Sequence, residues 1–407
     1  MSAESPEFEA MTDAWLLPPG AVMKYLVAVL CVAGFLVAHG GGPSAAETVS
    51  GFAADRVVSP SGEQLSPSGS AGQGGPFSGG QVVVAGKELL RDGRPWIPHA
   101  FYQIAFEVAP ADLARADHKF WTTAYQHYTP KEYQGMHEAG ADSVRLQISQ
   151  AAADPTSPKF DKAFLDKALD AVRAARQAGL TVIVSIQDES HVPGDKPIDL
   201  PDNGTRRVWQ EIAPQFANDQ GVLYELLNEP RLKPNPLDWQ QWAQAMNATI
   251  QTVRLAGARN VVIADGLDIG QVIDGAPMLA DSQVAYASHP YALNGSDQTR
   301  GAWDAKFGTF VQHAPVIITE WGSGAYYCDT NTPESTVKFI NYLQEHRVGL
   351  VIGTWDWAPG GFGSYRWDFP NGKLSKFSGL ACRQNGYGSG EVVRTWYKTG
   401  VPANSPE

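Results

Sequence analysis

Eight short runs of mostly apolar residues recur along the chain, and longer amphipathic stretches separate them. Val, Ile and Leu are nearly continuous within these runs, which is typical of parallel strands that are buried on both faces. The predicted strands are Ile97–Gln103, Asp142–Ser149, Thr181–Gln187, Val222–Glu229, Asn260–Gly266, Val284–Tyr291, Pro315–Gly322 and Gly349–Trp357. Strands that alternate with helices in this way predict an α/β fold of the (β/α)8 type, a TIM barrel.

The stretches between the runs carry helix signals. Apolar residues of the segment Asp161–Ala178 follow helical spacing up to Gly179, and Pro333 stands where a first-turn proline is favoured. The other predicted helices are Lys131–Ala139, Thr205–Phe216, Trp239–Leu255, Gly301–His313, Pro333–His346 and Glu391–Lys398, with a further helix after Gly266.

Composition divides the chain into four parts. Residues 1–46 read as an acidic extension followed by a signal peptide, and residues 47–80 as a linker rich in Gly, Ser and Pro. Residues 81–400 have the composition of a globular domain, which we interpret as the barrel, and residues 401–407 form a tail.

The signal is predicted at residues 23–46. Lys24 precedes an apolar run over Tyr25–Ala38, and a small-residue cleavage site ends at Ala46. The run is shorter than the roughly 20 residues of a membrane span, so we expect a secreted protein with no membrane association after processing. Acidic residues before a signal are unusual. Either translation starts at Met23, or the segment is a non-cleaved anchor.

Cleavage after Ala46 would leave two cysteines, Cys328 and Cys382. An even pair in an exported chain predicts one disulfide, and the alternative is two buried free thiols.

The charge balance bears on the partner. A formal net charge of −12, without any long Lys/Arg run, argues against a nucleic-acid partner and fits a neutral polymer as substrate. The 12 Trp residues are compatible with sugar stacking, because the apolar face of a pyranose packs on an indole. A monomer is expected.

Two predicted strands carry a glutamate at or near their carboxyl ends. The segment Leu223–Pro230 runs from apolar residues into Asn228 and Glu229, and the segment Pro315–Gly322 delivers Glu320. In a barrel the carboxyl ends of the strands meet at one mouth, so the two carboxyl groups are expected to face each other. Paired carboxyl groups predict the cleavage of glycosidic bonds.

Further polar and aromatic residues fall at the same ends of the strands. They are Arg145, Gln187, His289, Tyr291 and Trp355 or Trp357. Each has a structural alternative, because an isolated arginine is more often an ion-pair partner and an isolated histidine more often a hydrogen-bonded core residue.

Over residues 85–400 the ordered set resembles glycoside hydrolase family 5, the cellulase-like family of eight-fold barrels. The resemblance rests on five motifs, which are Arg145 within Ser143–Leu146, Asn228-Glu229-Pro230, His289-Pro290-Tyr291, Ile318–Gly322 and Thr354-Trp355. It implies Glu229 as acid/base and Glu320 as nucleophile.

Physical chemistry agrees with these roles. Burial would raise the pKa of Glu229, whereas Arg145 and the Tyr291 hydroxyl would keep Glu320 ionised. As substrate-binding residues, Asn228 would hold the sugar 2-hydroxyl, Trp355 would floor the subsite, and His289 would contact the acid/base or the substrate.

One position departs from the family pattern. Many members carry a histidine at the end of the third strand, where this chain has Gln187, which can bind a sugar hydroxyl but cannot titrate. His191 in the following loop is a candidate replacement. His99 is either a cleft residue or a core residue.

Aromatic residues cluster in two loops that either line the cleft or form small cores. They are Trp355, Trp357, Phe362, Tyr365, Trp367 and Phe369 in one loop, and Phe120, Trp121, Tyr125 and Tyr128 in the other.

The sequence therefore predicts a secreted retaining glycoside hydrolase that cleaves a β-linked glucan, as an endoglucanase does. The enzymatic alternatives are a β-mannanase, an exo-acting β-glucosidase or a transglycosylase, and the non-enzymatic alternative is a carbohydrate-binding barrel. No metal and no organic cofactor are predicted, since the acidic residues Asp188, Glu189, Asp265 and Asp268 match no ligand spacing.

Overall fold

The computed structural model describes residues 79–117, 119–292, 295–322, 331–355, 366–368, 373–375 and 389–401. They begin with a three-stranded antiparallel sheet, β1 (Val82–Ala85), β2 (Glu88–Arg91) and β3 (Arg94–Trp96). This sheet is joined by hydrogen bonds to residues that precede the barrel strands: the Val82 amide donates to the Gln220 carbonyl, and Arg91 donates to the Gly179 carbonyl. The sheet thus lies at the amino ends of the barrel strands, away from their carboxyl ends.

A closed barrel of eight parallel strands follows. Its strands are β4 (His99–Gln103), β5 (Ser143–Ser149), β6 (Thr181–Gln187), β7 (Val222–Glu225), β8 (Val262–Asp265), β9 (Val284–Ser288), β10 (Val316–Gly322) and β11 (Gly349–Gly353). Each pairs with the next in chain order, and β11 closes the barrel on β4. All eight predicted strands and the predicted TIM barrel are confirmed. Two short strands, β12 (Arg366–Asp368) and β13 (Lys373–Ser375), form a separate antiparallel pair.

The helices surround the barrel. They are α1 (Lys119–His127), α2 (Lys131–Glu138), α3 (Gln150–Ala153), α4 (Lys162–Gln177), α5 (Asn203–Ile212), α6 (Pro236–Leu255), α7 (Arg300–Trp303), α8 (Pro333–His346) and α9 (Ser389–Thr399). Local signals set their ends: Asp161 caps α4 by accepting from the Phe164 amide, and Asp202 forms a capping box with Thr205 at the start of α5. Helix α4 buries one apolar face, which includes Phe164 and Leu169.

The helix expected after Gly266 is wrong. The chain turns back between Gly266 and Gly270, with Asp268 and Ile269 at φ values of 60° and 61°. Helical backbone needs negative φ, so these two residues break any helix there. The turn instead supports the barrel mouth, because the Ile269 amide donates to the carbonyl of Pro230.

The helix predicted at Gly301–His313 is correct in position but irregular. It consists of α7, a π-helical segment over Asp304–Gly308 and a 3-10 turn over Phe310–Gln312. Among the described helices, none combines the length and the apolar character needed to cross a lipid bilayer.

Predictions on the signal peptide, the linker, the tail after Val401 and the cysteine pair fall on residues outside the described ranges. The pairing of Cys328 with Cys382 therefore remains a prediction.

Candidate active site

Glu229 and Glu320 lie together at the mouth formed by the carboxyl ends of the barrel strands. Glu320 is part of β10, and Glu229 follows β7 by four residues. A side-chain oxygen of each carboxyl group lies within 4.8 Å of the other. Their side chains keep 19% and 11% of their surface accessible, so a substrate that enters the mouth can reach both. The predicted convergence of the two carboxyl groups is present in the structure.

Two donors hold Glu320. The Tyr291 hydroxyl donates to its Oε1 at 2.6 Å, and Nη1 of Arg145 donates to its Oε2 at 3.0 Å. Burial and the nearby Glu320 carboxylate raise the pKa of Tyr291 well above its usual value, so the phenol keeps its proton and remains a donor. Both oxygens of Glu320 are therefore oriented by hydrogen-bond donors.

Arg145 is fully buried inside the barrel and joins several groups of the site. Its Nε and Nη2 donate to the two oxygens of Glu225 at 2.6 and 3.0 Å, and Nη2 also donates to Asn228 Oδ1 at 2.6 Å. Although burial alone would raise the pKa of Glu225, the guanidinium lowers it below its ordinary value. The arginine is thus a fixed positive charge between Glu225 and Glu320.

Glu229 has a different environment. Burial raises the pKa of Glu229 to about 7, so a large fraction of this carboxyl group is protonated near neutral pH. Its Oε1 lies 3.1 Å from Nδ1 of His289. The two carboxyl groups therefore differ in the way that acid catalysis and nucleophilic attack require, with one holding a proton and the other placed beside a cation.

The backbone at Glu229 is strained. Its φ is 55°, a left-handed conformation that residues with a side chain rarely adopt. The Glu229 amide donates to Oδ2 of Asp265 at 3.2 Å, which fixes this conformation from the end of β8. Burial and the negative charge of Glu225 raise the pKa of Asp265 well above its usual value.

His289 is fully buried between the acid/base candidate and β10. Burial lowers the pKa of His289 to about 4, so the imidazole is neutral near pH 7. Its Nε2 lies 2.9 Å from Oγ1 of Thr319. This hydroxyl can accept a hydrogen bond from a protonated Nε2 or donate one to an unprotonated Nε2. A Cβ at Gly270 would lie 2.9 Å from Nδ1 of His289, so the close approach of this turn requires glycine.

Two predicted sugar-binding residues are occupied by other contacts. Gln187 is buried, accepts a hydrogen bond from Gln147 and donates to Asp188 and Ser190, so its amide is used within the protein. Trp355 has no exposed surface and packs edge-on against Phe101 with ring centroids 5.0 Å apart. Neither side chain offers the predicted surface to a sugar in this structure.

The remaining predicted positions are also placed. His99 stacks on Tyr397 at 4.7 Å with nearly parallel rings, so the core alternative is the correct one for this residue. In the loop after β4, Tyr128 packs against Phe106 and Trp121 is 4% exposed, which favours a small core over an open wall. Trp357, Phe362, Tyr365 and Phe369 lie outside the described residues, and only the backbone of Trp367 is described.

Sequence reasoning did not assign two carboxyl groups to the site: Glu225 was not considered, and Asp265 was considered only as a metal ligand. Both are fully buried at the ends of barrel strands, beside Arg145 and Glu229 respectively. The sequence did contain an indication of their role, because each is a lone acidic residue in an otherwise apolar run. A buried carboxyl group needs a partner, and that need predicts a polar centre inside the barrel.

Three groups of side chains among the described residues bring potential cation ligands within 4.8 Å of one another. They are Glu225, Asp265 and His289; Glu229, His289 and Glu320; and Asp112, Glu189 and Asp195. Protein cations already lie beside all three groups. Arg145 contacts the first two, and Lys159 lies 2.7 Å from Asp112 and also contacts Asp195. We assign no metal ligand here, and the expectation of no required metal or cofactor remains a prediction.

Comparison with known proteins identifies the family. The family model for cellulase (glycosyl hydrolase family 5) matches residues 106–361, more than half of the chain. The chain belongs to glycosyl hydrolase family 5. As a family 5 member it is an O-glycosyl hydrolase.

Relatives with curated descriptions are distant. Endoglucanase A of Ruminococcus albus is 24% identical over 269 residues, which cover 56% of this chain and 73% of the relative. Endoglucanase E-5 of Thermobifida fusca is 26% identical over 267 residues, and the match covers 62% of this chain but 51% of the relative. The chain thus spans about half the length of that second relative.

Solved structures share the fold. The catalytic domain of Thermobifida fusca endoglucanase Cel5A, in complex with cellotetraose, aligns with a TM-score of 0.59 at 19% identity. That alignment covers 79% of this chain and 98% of the solved one. A β-glucanase from Saccharophagus degradans aligns with a TM-score of 0.54 at 20% identity, covering 71% and 88%. At these identities the structural similarity shows only that the barrel architecture is shared.

Proposed function

We propose that this family 5 protein hydrolyses a β-linked glucan by double displacement, with Glu229 as acid/base and Glu320 as nucleophile. The observation that carries the proposal is that one oxygen of the Glu229 carboxyl group lies within 4.8 Å of one oxygen of the Glu320 carboxyl group. Retaining enzymes place their carboxyl groups about 5–5.5 Å apart, whereas inverting enzymes leave room for a water molecule at about 6.5–9.5 Å. The short separation supports direct attack by a carboxylate and retention of configuration.

The electrostatics supports the same division of roles. In the first step Glu320, oriented by Arg145 and Tyr291, attacks the anomeric carbon while Glu229 gives its proton to the leaving oxygen. In the second step the deprotonated Glu229 takes a proton from water, which attacks the glycosyl-enzyme and releases Glu320. Asn228, which accepts a hydrogen bond from Arg145, would contact the 2-hydroxyl of the reacting sugar.

The choice of β-glucan as substrate comes from the relatives, which are named endoglucanases and include a complex with cellotetraose. We further propose that the protein is secreted as a monomer through the signal-like segment at residues 23–46.

A panel assay tests the function. We would incubate the full chain with carboxymethyl cellulose, mixed-linkage β-glucan, xyloglucan and mannan, and measure reducing ends and the anomers released by proton NMR. We expect fastest release from a β-glucan, with the β-anomer formed first. Initial release of the α-anomer would contradict double displacement, and glycan binding without any product would favour a carbohydrate-binding barrel. Longer products at high acceptor concentration would indicate transglycosylation.

The pH profile of the wild-type enzyme provides a prediction. Glu229 must carry its proton to act as an acid, and burial raises its pKa to about 7. We therefore expect kcat/KM to be high below neutral pH and to fall as the pH rises through about 7. Initial rates on a neutral β-glucan between pH 4 and pH 9 measure this limb. A profile that stays flat up to pH 9 would argue against Glu229 as the acid.

Removal of the acid gives a further prediction. Glu229→Gln keeps the size of the side chain but removes the transferable proton, so we expect kcat on β-glucan to fall by about 10²–10⁴-fold. An aryl glycoside with an acidic phenol leaves without protonation, and its glycosylation step is expected to be largely spared. A stopped-flow burst of phenol shows whether the glycosylation step of the aryl glycoside is spared in the variant. Equal losses on both substrates would contradict the assigned role.

A further inference from the structure

A tyrosine near the carboxyl end of the first barrel strand points into the barrel beside Arg145. Tyr102 on β4 is in register with Arg145 on β5, and residues in register on paired strands point to the same side. The Arg145 side chain lies inside the barrel, and its Cζ is 5.6 Å from the centroid of the Tyr102 ring. Because Nη1 of Arg145 donates to Glu320, the tyrosine and the glutamate border the same cation.

The two strands that neighbour β4 hold the Tyr102 ring. On β11, a Cβ at Gly353 would lie 2.3 Å from Cε1 of Tyr102, so the ring fills space that this glycine leaves open. On β5, the Arg145 guanidinium borders the ring. The backbone is fixed as well, since the Tyr102 carbonyl accepts from the Trp355 amide at 2.8 Å. These contacts fix the position of the ring and therefore that of its hydroxyl group.

The Tyr102 hydroxyl has no hydrogen-bond partner within the part of the chain that the structure describes. The residue keeps 8% of its surface accessible. The other phenol of the site differs, because the Tyr291 hydroxyl already donates to Glu320 at 2.6 Å. Burial and the negative charges of Glu320 and Glu107 raise the pKa of Tyr102 well above its usual value, so its hydroxyl stays protonated. Tyr102 thus offers a hydrogen-bond donor that the protein itself does not use.

The place of Tyr102 around the barrel indicates which sugar it meets. Strand β4 lies two strands from β10, which carries Glu320, and opposite β8. Glu229 is held from that opposite side, because its amide donates to Asp265 on β8. The acid protonates the oxygen of the leaving sugar, so the leaving sugar lies towards Glu229 and the retained sugar extends away from it. Tyr102 therefore lies on the side of the retained sugar.

We propose that Tyr102 is a substrate-contact residue, whose hydroxyl donates a hydrogen bond to a hydroxyl group of the sugar that becomes attached to Glu320. The inference rests on the proposed function, because it assigns a further contact within the same glycan site. The alternative is a ring that only packs against Arg145, with a hydroxyl group that contacts water alone.

Tyr102→Phe tests the hydroxyl group alone, because the variant keeps the ring and its contact with Arg145. We expect kcat/KM on β-glucan to fall about 3–10-fold, which corresponds to the loss of one hydrogen bond between neutral groups. The midpoint of thermal unfolding is expected to stay at the wild-type value, because no hydrogen bond within the protein is lost.

Tyr224→Phe is the matched control, with the opposite expectation on both measurements. The Tyr224 hydroxyl is buried and donates to the Ala213 carbonyl at 3.1 Å. Its removal leaves that carbonyl without this donor, so we expect a lower midpoint of thermal unfolding and an unchanged kcat/KM.

An aryl β-cellobioside identifies the sugar that Tyr102 contacts. Its small aglycone replaces the leaving sugar, so a contact with the retained sugar predicts the same fold-loss in Tyr102→Phe as on β-glucan. A loss confined to β-glucan would place the contact on the leaving sugar and contradict the assignment. Monodeoxy analogues of the glucose that carries the aglycone then test direct contact. We expect one analogue on which wild type and variant are equally active, and a constant loss across the series would exclude a direct hydrogen bond.

The remaining outcomes are also decisive. Wild-type kcat/KM of Tyr102→Phe on both substrates would leave Tyr102 as a packing residue. A lower midpoint of thermal unfolding in this variant, or a failure to fold, would show that the hydroxyl group has a partner within the protein and would overturn the inference. A wild-type chain that hydrolyses no glycan would refute the proposed function itself, before any variant is compared.

Discussion

Replacing Glu320 by glutamine is expected to lower kcat on β-glucan by about 10⁵-fold, on the scale seen when a catalytic nucleophile is removed. The amide keeps the shape of the side chain but cannot form the glycosyl-enzyme. The fold should survive, because Arg145 keeps its two contacts with Glu225 and the Tyr291 hydroxyl can still donate to the amide oxygen. Initial rates measure the loss of kcat, and a thermal unfolding curve shows whether the fold survives.

A matched control separates the role of Glu320 from a general loss of carboxylate. Glu211→Gln changes an exposed glutamate on α5 and is expected to leave kcat unchanged. Azide offers a second check on Glu320→Ala, since the small anion can occupy the space of the missing carboxyl group. Attack from that face gives an α-glycosyl azide from a β-linked substrate. A β-glycosyl azide, or turnover near the wild-type rate, would assign the nucleophile elsewhere.

The barrel and its paired carboxyl groups were predictable because they follow from local patterns. A strand buried on both faces has to be apolar along its length, so the eight runs are visible in the sequence. A polar residue immediately after such a run falls at the strand end, which is how Glu229 and Glu320 were found. Closure of the barrel then brings the ends together without any further information from the sequence.

Other features depend on tertiary contacts that no local pattern encodes. The positive φ of Glu229 exists because Asp265 and the turn after β8 hold it, and the same turn replaces the expected helix. The sequence around a tryptophan near a strand end looks the same whether the ring is exposed to the cleft or packed in the core. The ring of Trp355 is packed in the core. The contact of His191 with Glu107 joins two loops far apart in the chain, so the sequence indicated His191 as a candidate for the third-strand position but did not indicate this partner.

Replacing Arg145 by methionine is expected to produce the largest loss of stability, about 3–5 kcal/mol in the free energy of unfolding. The side chain is fully buried, and its guanidinium compensates Glu225, which is also fully buried. Methionine keeps the volume but leaves that carboxylate without a cation in a medium of low polarity. Urea unfolding followed by tryptophan fluorescence measures the loss. We also expect kcat to fall, because Glu320 loses one of its two orienting donors.

An exposed ion pair provides the comparison for Arg145. Arg173 pairs with Asp170 on the surface of α4, with side chains 41% and 75% exposed, so Arg173→Met is expected to cost less than about 1 kcal/mol. Adding Glu225→Gln to Arg145→Met should recover part of the lost stability, because the uncompensated charge is then removed with its partner. If Arg145→Met were as stable as Arg173→Met, or if the double variant were the less stable by the sum of both single losses, the buried pair would not be what holds the centre of this barrel.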